Sequence, residues 1–150
     1  MAARLARFLL PLSLLIVNAS ISQTRSAGLT LTKEGRSACT IVLAKNASAS
    51  ARFAGVELQR YLSAISGANV PISATAKPGS TIWIGSAGHS EGCPREIDWD
   101  RLGDDGFTIR TDGKNLIIAG GRDKGPLYGV YTFLESYLGC RKFSPTVEVI

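Results

Sequence analysis

The chain is poor in the residues on which compact catalytic and metal sites depend. It holds a single histidine, His89, and only three cysteines, Cys39, Cys93 and Cys140, in 150 residues. One histidine with nothing local to orient it makes no convincing Ser/His/Asp set. His89 stands four residues before Cys93, but the two tight ligand pairs of a structural zinc site are missing. The cysteines therefore read as small buried hydrophobes and His89 as a loop residue. An odd number of cysteines allows at most one internal disulfide, with three choices of pair and one thiol left over.

Long runs of basic or apolar residues are equally scarce. Lys and Arg number 17 against 12 Asp and Glu, a formal +5, and no basic run is longer than Arg141-Lys142, which argues against nucleic-acid binding. An acidic polysaccharide partner is compatible with this mild charge without being demanded by it. The most apolar stretch, Phe8 to Val17, falls well short of the ~20 residues that cross a bilayer, and Pro11 interrupts it. That argues against a permanent membrane span. Preceded by Arg4 and Arg7 and followed by Val17-Asn18-Ala19, the stretch has the layout of a secretory signal peptide. The expectation is a signal over residues 1–19, cleavage near Ala19, and a secreted or periplasmic protein. Loss of Arg4 and Arg7 lowers the charge from +5 to +3. Residues 20–37 read as a linker and 38–150 as one domain with one core.

What is present is an ordered series of elements. Thr40 to Ala44 is a β-branched run, and Ser48 is a good cap for a helix over Ala49 to Ile65, where Ala51, Ala54, Leu58, Tyr61, Leu62 and Ile65 share a face. Gly67 closes it, and the proline of Val70-Pro71-Ile72 favours a sheet edge. Asn46-Ala47-Ser48 also spells a glycosylation sequon, although capping explains the same residues. Thr81 to Gly85 is a strand with Trp83 in its core, followed by a polar stretch without period, Ser86 to Asp105. Gly106–Thr111 and Asn115–Ala119 flank Asp112-Gly113-Lys114, the strongest short hairpin signal. Pro126 opens a final helix and Gly139 ends it. The order favours an α+β fold: a mostly antiparallel sheet with two helices packed on one face.

Two motifs invite a chemical reading and give little. Gly120-Gly121-Arg122-Asp123-Lys124-Gly125 lacks the Lys-Ser/Thr of a phosphate loop and the spacing of a dinucleotide fingerprint, so no nucleotide cofactor is expected. Its glycines are better explained by a tight passage from strand to helix. Arg122 and Lys124 beside a helix N-terminus are nevertheless candidate contacts for a carboxylate such as a uronic acid. Asp104-Asp105 are neighbours that point to opposite faces and make a poor catalytic pair across a sugar bond, so Gly103 to Gly106 reads as a turn. Glu57 and Glu135 read as solvated helix faces. Trp99, between Asp98 and Asp100, is a candidate aromatic platform for a sugar ring.

The segments RFAGVELQRYLSAISGANVPI, IWIG and LGDDGFTIRTDGKNLIIAGGRDKGPLYGVYTFLESYLGCRKFSP together resemble the N-terminal domain of alpha-glucuronidase-type glycoside hydrolases. The architecture is similar to the second domain of beta-hexosaminidases and chitobiases. The resemblance covers about residues 38 to 150, most specifically Asp105 to Arg141. It implies an accessory domain in polysaccharide degradation whose partner is a catalytic (β/α)8 barrel in a longer parent. The catalytic carboxylates, and the release of 4-O-methyl-glucuronic acid from xylan side chains, would belong to that barrel, expected after residue 150. No catalytic residue, metal ligand or cofactor site is therefore carried over. The alternative is a stand-alone carbohydrate-binding or adaptor domain using Trp99, Arg122 and Lys124.

Overall fold

The computed structural model describes residues 28–142 and 147–150; the signal segment expected over residues 1–19 lies outside the described residues. A two-residue ribbon, β1 (Thr32–Lys33) and β2 (Arg36–Ser37), leads into β3 (Cys39–Leu43). Then come α1 (Ala49–Ser66), β4 (Ile72–Ser73), β5 (Ser80–Ser86), α2 (Trp99–Leu102), the pair β6 (Phe107–Asp112) and β7 (Asn115–Gly120), α3 (Gly125–Leu138), β8 (Arg141–Lys142) and β9 (Glu148–Val149). No helix among the described residues is long and apolar enough to cross a membrane.

Local chemistry places the helices. The Ser48 hydroxyl accepts the Ala51 amide at 3.1 Å, satisfying a donor that the first turn of α1 cannot pair. At the other end Gly67, at φ 70°, sends its amide to the Ser63 carbonyl at 2.8 Å. Helix α3 takes Pro126 in its first turn and ends at Gly139. Pro71 precedes β4, which lies at the edge of the main sheet.

The main sheet has the order β4-β3-β5-β7-β6. The α+β class and the two helices on one face are as the sequence implies, but the strand directions correct the expected mostly antiparallel sheet. β3 runs parallel to β4 and to β5, and β5 parallel to β7; the hairpin β6–β7 is the one antiparallel pair of the sheet. The cause is topological. Helix α1 carries the chain back so that β4 and β5 start from the same end as β3. The hairpin then inserts its second strand beside β5 and leaves β6 at the edge.

Alternation along the strands builds two apolar layers. Ile41, Leu43, Ile82, Ile84, Leu116 and Ile118 face α1 and α3, where Leu58, Tyr61, Leu62, Val130 and Leu134 complete the core. Val42, Trp83, Ile117 and Ala119 point the other way and are covered by Ile97, Cys93, Trp99 and Leu102. The polar stretch after β5 thus closes the second face. Each fully buried large side chain contributes roughly 1.5–3 kcal/mol, and Trp83 is completely buried, as its place in a core strand implies.

Candidate functional site

The structure sets the candidates in two places: Arg122 and Lys124 where β7 leaves for α3, and Trp99 on the second face of the sheet against Trp83. α2 runs into the turn Gly103-Asp104-Asp105-Gly106, and that turn is bound along its length to the glycine-rich passage between β7 and α3. Amides of Gly121, Arg122 and Asp123 reach the carbonyls of Gly106, Gly103 and Asp104 at 2.7, 3.4 and 3.0 Å. The glycines are required by proximity. A Cβ on Gly120 would lie 2.0 Å from the Pro126 nitrogen, and one on Gly125 2.4 Å from the Gly106 oxygen. The tight-passage reading of this segment is therefore the structural one.

The two acids of the turn serve the same junction. Asp105 Oδ1 accepts the Lys124 amide at 3.0 Å, supplying the N-terminal cap that α3 lacks from its own first residues. Asp104 Oδ1 accepts from Arg122 Nη1 at 3.2 Å, with both side chains largely exposed. The positive ends beside α3 are thus already faced by internal carboxylates, and Asp104 and Asp105 do not confront each other across a cleft. Lys124 itself is exposed.

Trp99 is half-buried, its indole 6.4 Å from that of Trp83 and tilted by 56°. Two open grooves meet at it. One of about 390 Å³ is lined by Ser90, Cys93, Pro94, Arg95, Glu96 and Ile97. The other, about 650 Å³, has Glu96, Asp98, Asp100 and Arg110 along its walls. The cysteines do not converge on a site: Cys39 and Cys140 are buried, Cys93 is half-exposed, and all three are free thiols. Among the described residues no group of three or more His, Cys, Asp or Glu could hold a metal ion.

A second polar cluster on the helical layer escaped the sequence reading. Glu57 is no solvated face: it is 6% exposed. Its Oε2 accepts from Tyr131 Oη at 2.7 Å and Lys142 Nζ at 2.9 Å, and its Oε1 from Arg60 Nε at 3.2 Å. Burial alone would raise its pKa; the bonds from Lys142, Tyr131 and Arg60 outweigh that and hold it below the usual carboxylate value. Arg60 also grips Glu148 with Nη1 and Nη2 at 2.7 Å each, and Tyr61 donates to the same carboxylate at 2.9 Å. Hydrogen bonds from Arg60 and then Tyr61 bring the Glu148 pKa down to about 2. The signal available in sequence was Glu57 three residues before Arg60. Nothing local revealed that α3 and the last residues would close over it. Glu135, by contrast, is exposed and bridges to Arg141 at 3.2 Å.

Comparison with known proteins then identifies the family. The model of the family described as glycosyl hydrolase family 67 N-terminus matches residues 26–133. No curated protein sequence matches the chain. Among solved structures, a family GH115 4-O-methyl-alpha-glucuronidase with specificity for decorated arabinogalactans shares 22% identity at a TM-score of 0.55, over 68% of this chain and 13% of that one. A GH138 enzyme targeting pectin rhamnogalacturonan II aligns at 18% identity and a TM-score of 0.45, over 74% of this chain and 15% of the other. The chain thus spans a small fraction of the length of both proteins.

Proposed function

The chain belongs to the glycosyl hydrolase family 67 N-terminus family, and from that premise we propose that it is the non-catalytic N-terminal module of a longer, secreted hydrolase of alpha-glucuronidase type, active in xylan breakdown. The observation that carries this reading is where the acids go. Glycoside hydrolysis generally needs two carboxylates facing each other across the scissile bond. The two that the sequence sets side by side, Asp104 and Asp105, are spent on Arg122 and on the α3 cap, and Glu57 is buried beneath Tyr131 and Lys142. The chemistry then falls to a (β/α)8 barrel elsewhere in a longer parent. The test is an assay of the purified chain on glucuronoxylan oligosaccharides. No release of 4-O-methyl-glucuronic acid is expected, and turnover by this chain alone would defeat the proposal. Secretion is tested separately: the exported protein should begin at Ser20, and an unprocessed chain retained in the cytoplasm would remove that part.

A second reading, a carbohydrate-contact surface, is favoured by the two grooves meeting at Trp99. The acids around them, Glu96, Asp98 and Asp100, accept from sugar hydroxyls and, outnumbering Arg95 and Arg110, disfavour a uronate. The sugar on Trp99 is then a neutral one, and an acidic residue would fall to the exposed Lys124 ammonium and to Arg122, where it competes with Asp104. Titration with xylohexaose and with an aldouronic acid, followed by tryptophan fluorescence, separates the cases. A response to the neutral sugar that Trp99→Ala abolishes supports this surface. No response to either at millimolar concentration eliminates it.

A further inference from the structure

We infer that Glu57 is the hub of a side-chain lock that holds the ribbon β8–β9 across the helical layer, and that this lock, rather than strand pairing, fixes where the ribbon lies. The pairing is minimal: Arg141 faces Val149 and Lys142 faces Glu148, and all four residues are exposed. A two-stranded ribbon of this kind is marginal on its own in water. Packing secures its entrance, where Cys140 is buried and its amide reaches the Leu134 carbonyl at 3.0 Å.

Beyond that point each strand is tied to α1 by one charged side chain. β8 sends Lys142 to Glu57, with Tyr131 of α3 completing the cradle. β9 sends Glu148 to Arg60 and Tyr61. Arg60 joins the two halves because it bonds both carboxylates. Glu57 thereby collects donors from its own helix α1 and, across 74 and 85 residues of chain, from α3 and β8. A buried carboxylate that loses one of several donors is left under-satisfied, so the contacts depend on one another. Arg60 also stacks over the Tyr61 ring at 4.3 Å, which restricts the guanidinium to the plane the Glu148 carboxylate needs.

Lys142 and Glu148 are therefore positioning residues for the ribbon. Their functional use rests on the module reading above: a ribbon locked to α1 gives any following domain a fixed starting point. The lock itself is tested without that reading, on the full chain, by ¹⁵N relaxation. In the unaltered protein the amides of residues 141, 142, 148 and 149 should show order parameters near those of α1, roughly 0.85. In the double variant Lys142→Met, Glu148→Gln they should fall below about 0.6 while α1, α3 and the main sheet keep their values. Lys142→Arg with Glu148 intact should retain order. Glu148→Gln alone, at an exposed position outside the core, is the second variant should the double one fold poorly, and it should loosen β9 more than β8. A ribbon that stays ordered in these variants, or is already mobile in the unaltered chain, overturns the inference. Catalytic silence of the chain bears only on the module reading.

Discussion

Gly121 sits so close to Gly103 that a Cβ on it would stand 2.3 Å from the Gly103 carbonyl oxygen, and 2.4 Å from that of Asp104. The obstructing atoms are backbone, so no side chain can swing away. Gly121→Ala must part the turn from the strand end and weaken the 2.7 Å bond between the Gly121 amide and the Gly106 carbonyl. The expected loss is about 1–3 kcal/mol, the range for overpacking. Urea denaturation of the variant beside the unaltered chain measures it, and a midpoint that does not move would show that the two segments separate freely.

Asp104 and Asp105 are adjacent in sequence but unequal in energy. Asp105 caps α3 through the Lys124 amide, whereas Asp104 makes an exposed pair with Arg122. Asp105→Ala should cost about 1 kcal/mol, as loss of an N-terminal cap does, and Asp104→Ala between about 0 and 1, as for surface ion pairs. Thermal melts should therefore rank Asp105→Ala below Asp104→Ala. The reverse order would place the weight of the junction on the guanidinium instead of the helix end.

The elements themselves were legible in sequence because each carried a local signal: Ser48 and Gly67 bounding α1, the Gly113 turn joining β6 to β7, Pro126 and Gly139 bounding α3. Strand direction was readable too, from a different cue. Residues of β3, β5 and β7 are buried on both faces, as near-continuous apolar runs in parallel sheets are, while β6 mixes apolar with polar residues and has none fully buried, as an edge strand does. The order of elements pointed to an antiparallel layer and outweighed that cue. The cover on the second face was not legible, because Ile97, Trp99 and Leu102 follow no period and find Trp83 only in three dimensions. The Glu57 hub was hidden for the same reason: its partners Tyr131 and Lys142 are 74 and 85 residues away.

The same hub sets a pH dependence. The folded-state pKa of Glu148 lies at about 2, depressed by Arg60 and Tyr61 from an ordinary value of 4.5, and that of Glu57 is also lowered. Groups depressed in this way stabilise the fold fully above their unfolded pKa and lose that contribution as pH falls through the folded one. The stability gap between the unaltered chain and Glu148→Gln should therefore be constant from neutral pH to about 5 and shrink as pH is lowered toward 2. Urea midpoints measured across that range check it. A gap that closes already near neutrality would mean that Arg60 and Tyr61 do not hold the carboxylate in solution.

The thiols give an independent check on both faces of the sheet. Cys39 and Cys140 lie in the helix-side core, and Cys93 stands half-exposed against the opposite face. Burial comes first among the causes that raise all three thiol pKa values, so none is activated as a nucleophile, and access alone should decide their reactivity. In native protein kept reduced, an aromatic disulfide reagent should titrate one thiol per chain, assigned to Cys93 by peptide mapping, and all three after unfolding in guanidinium. Because Cys93 packs beside Ile97 and Trp99, its modification should also alter tryptophan emission. Native labelling at Cys140 instead would mean that the end of α3 and the ribbon after it are not seated on the core.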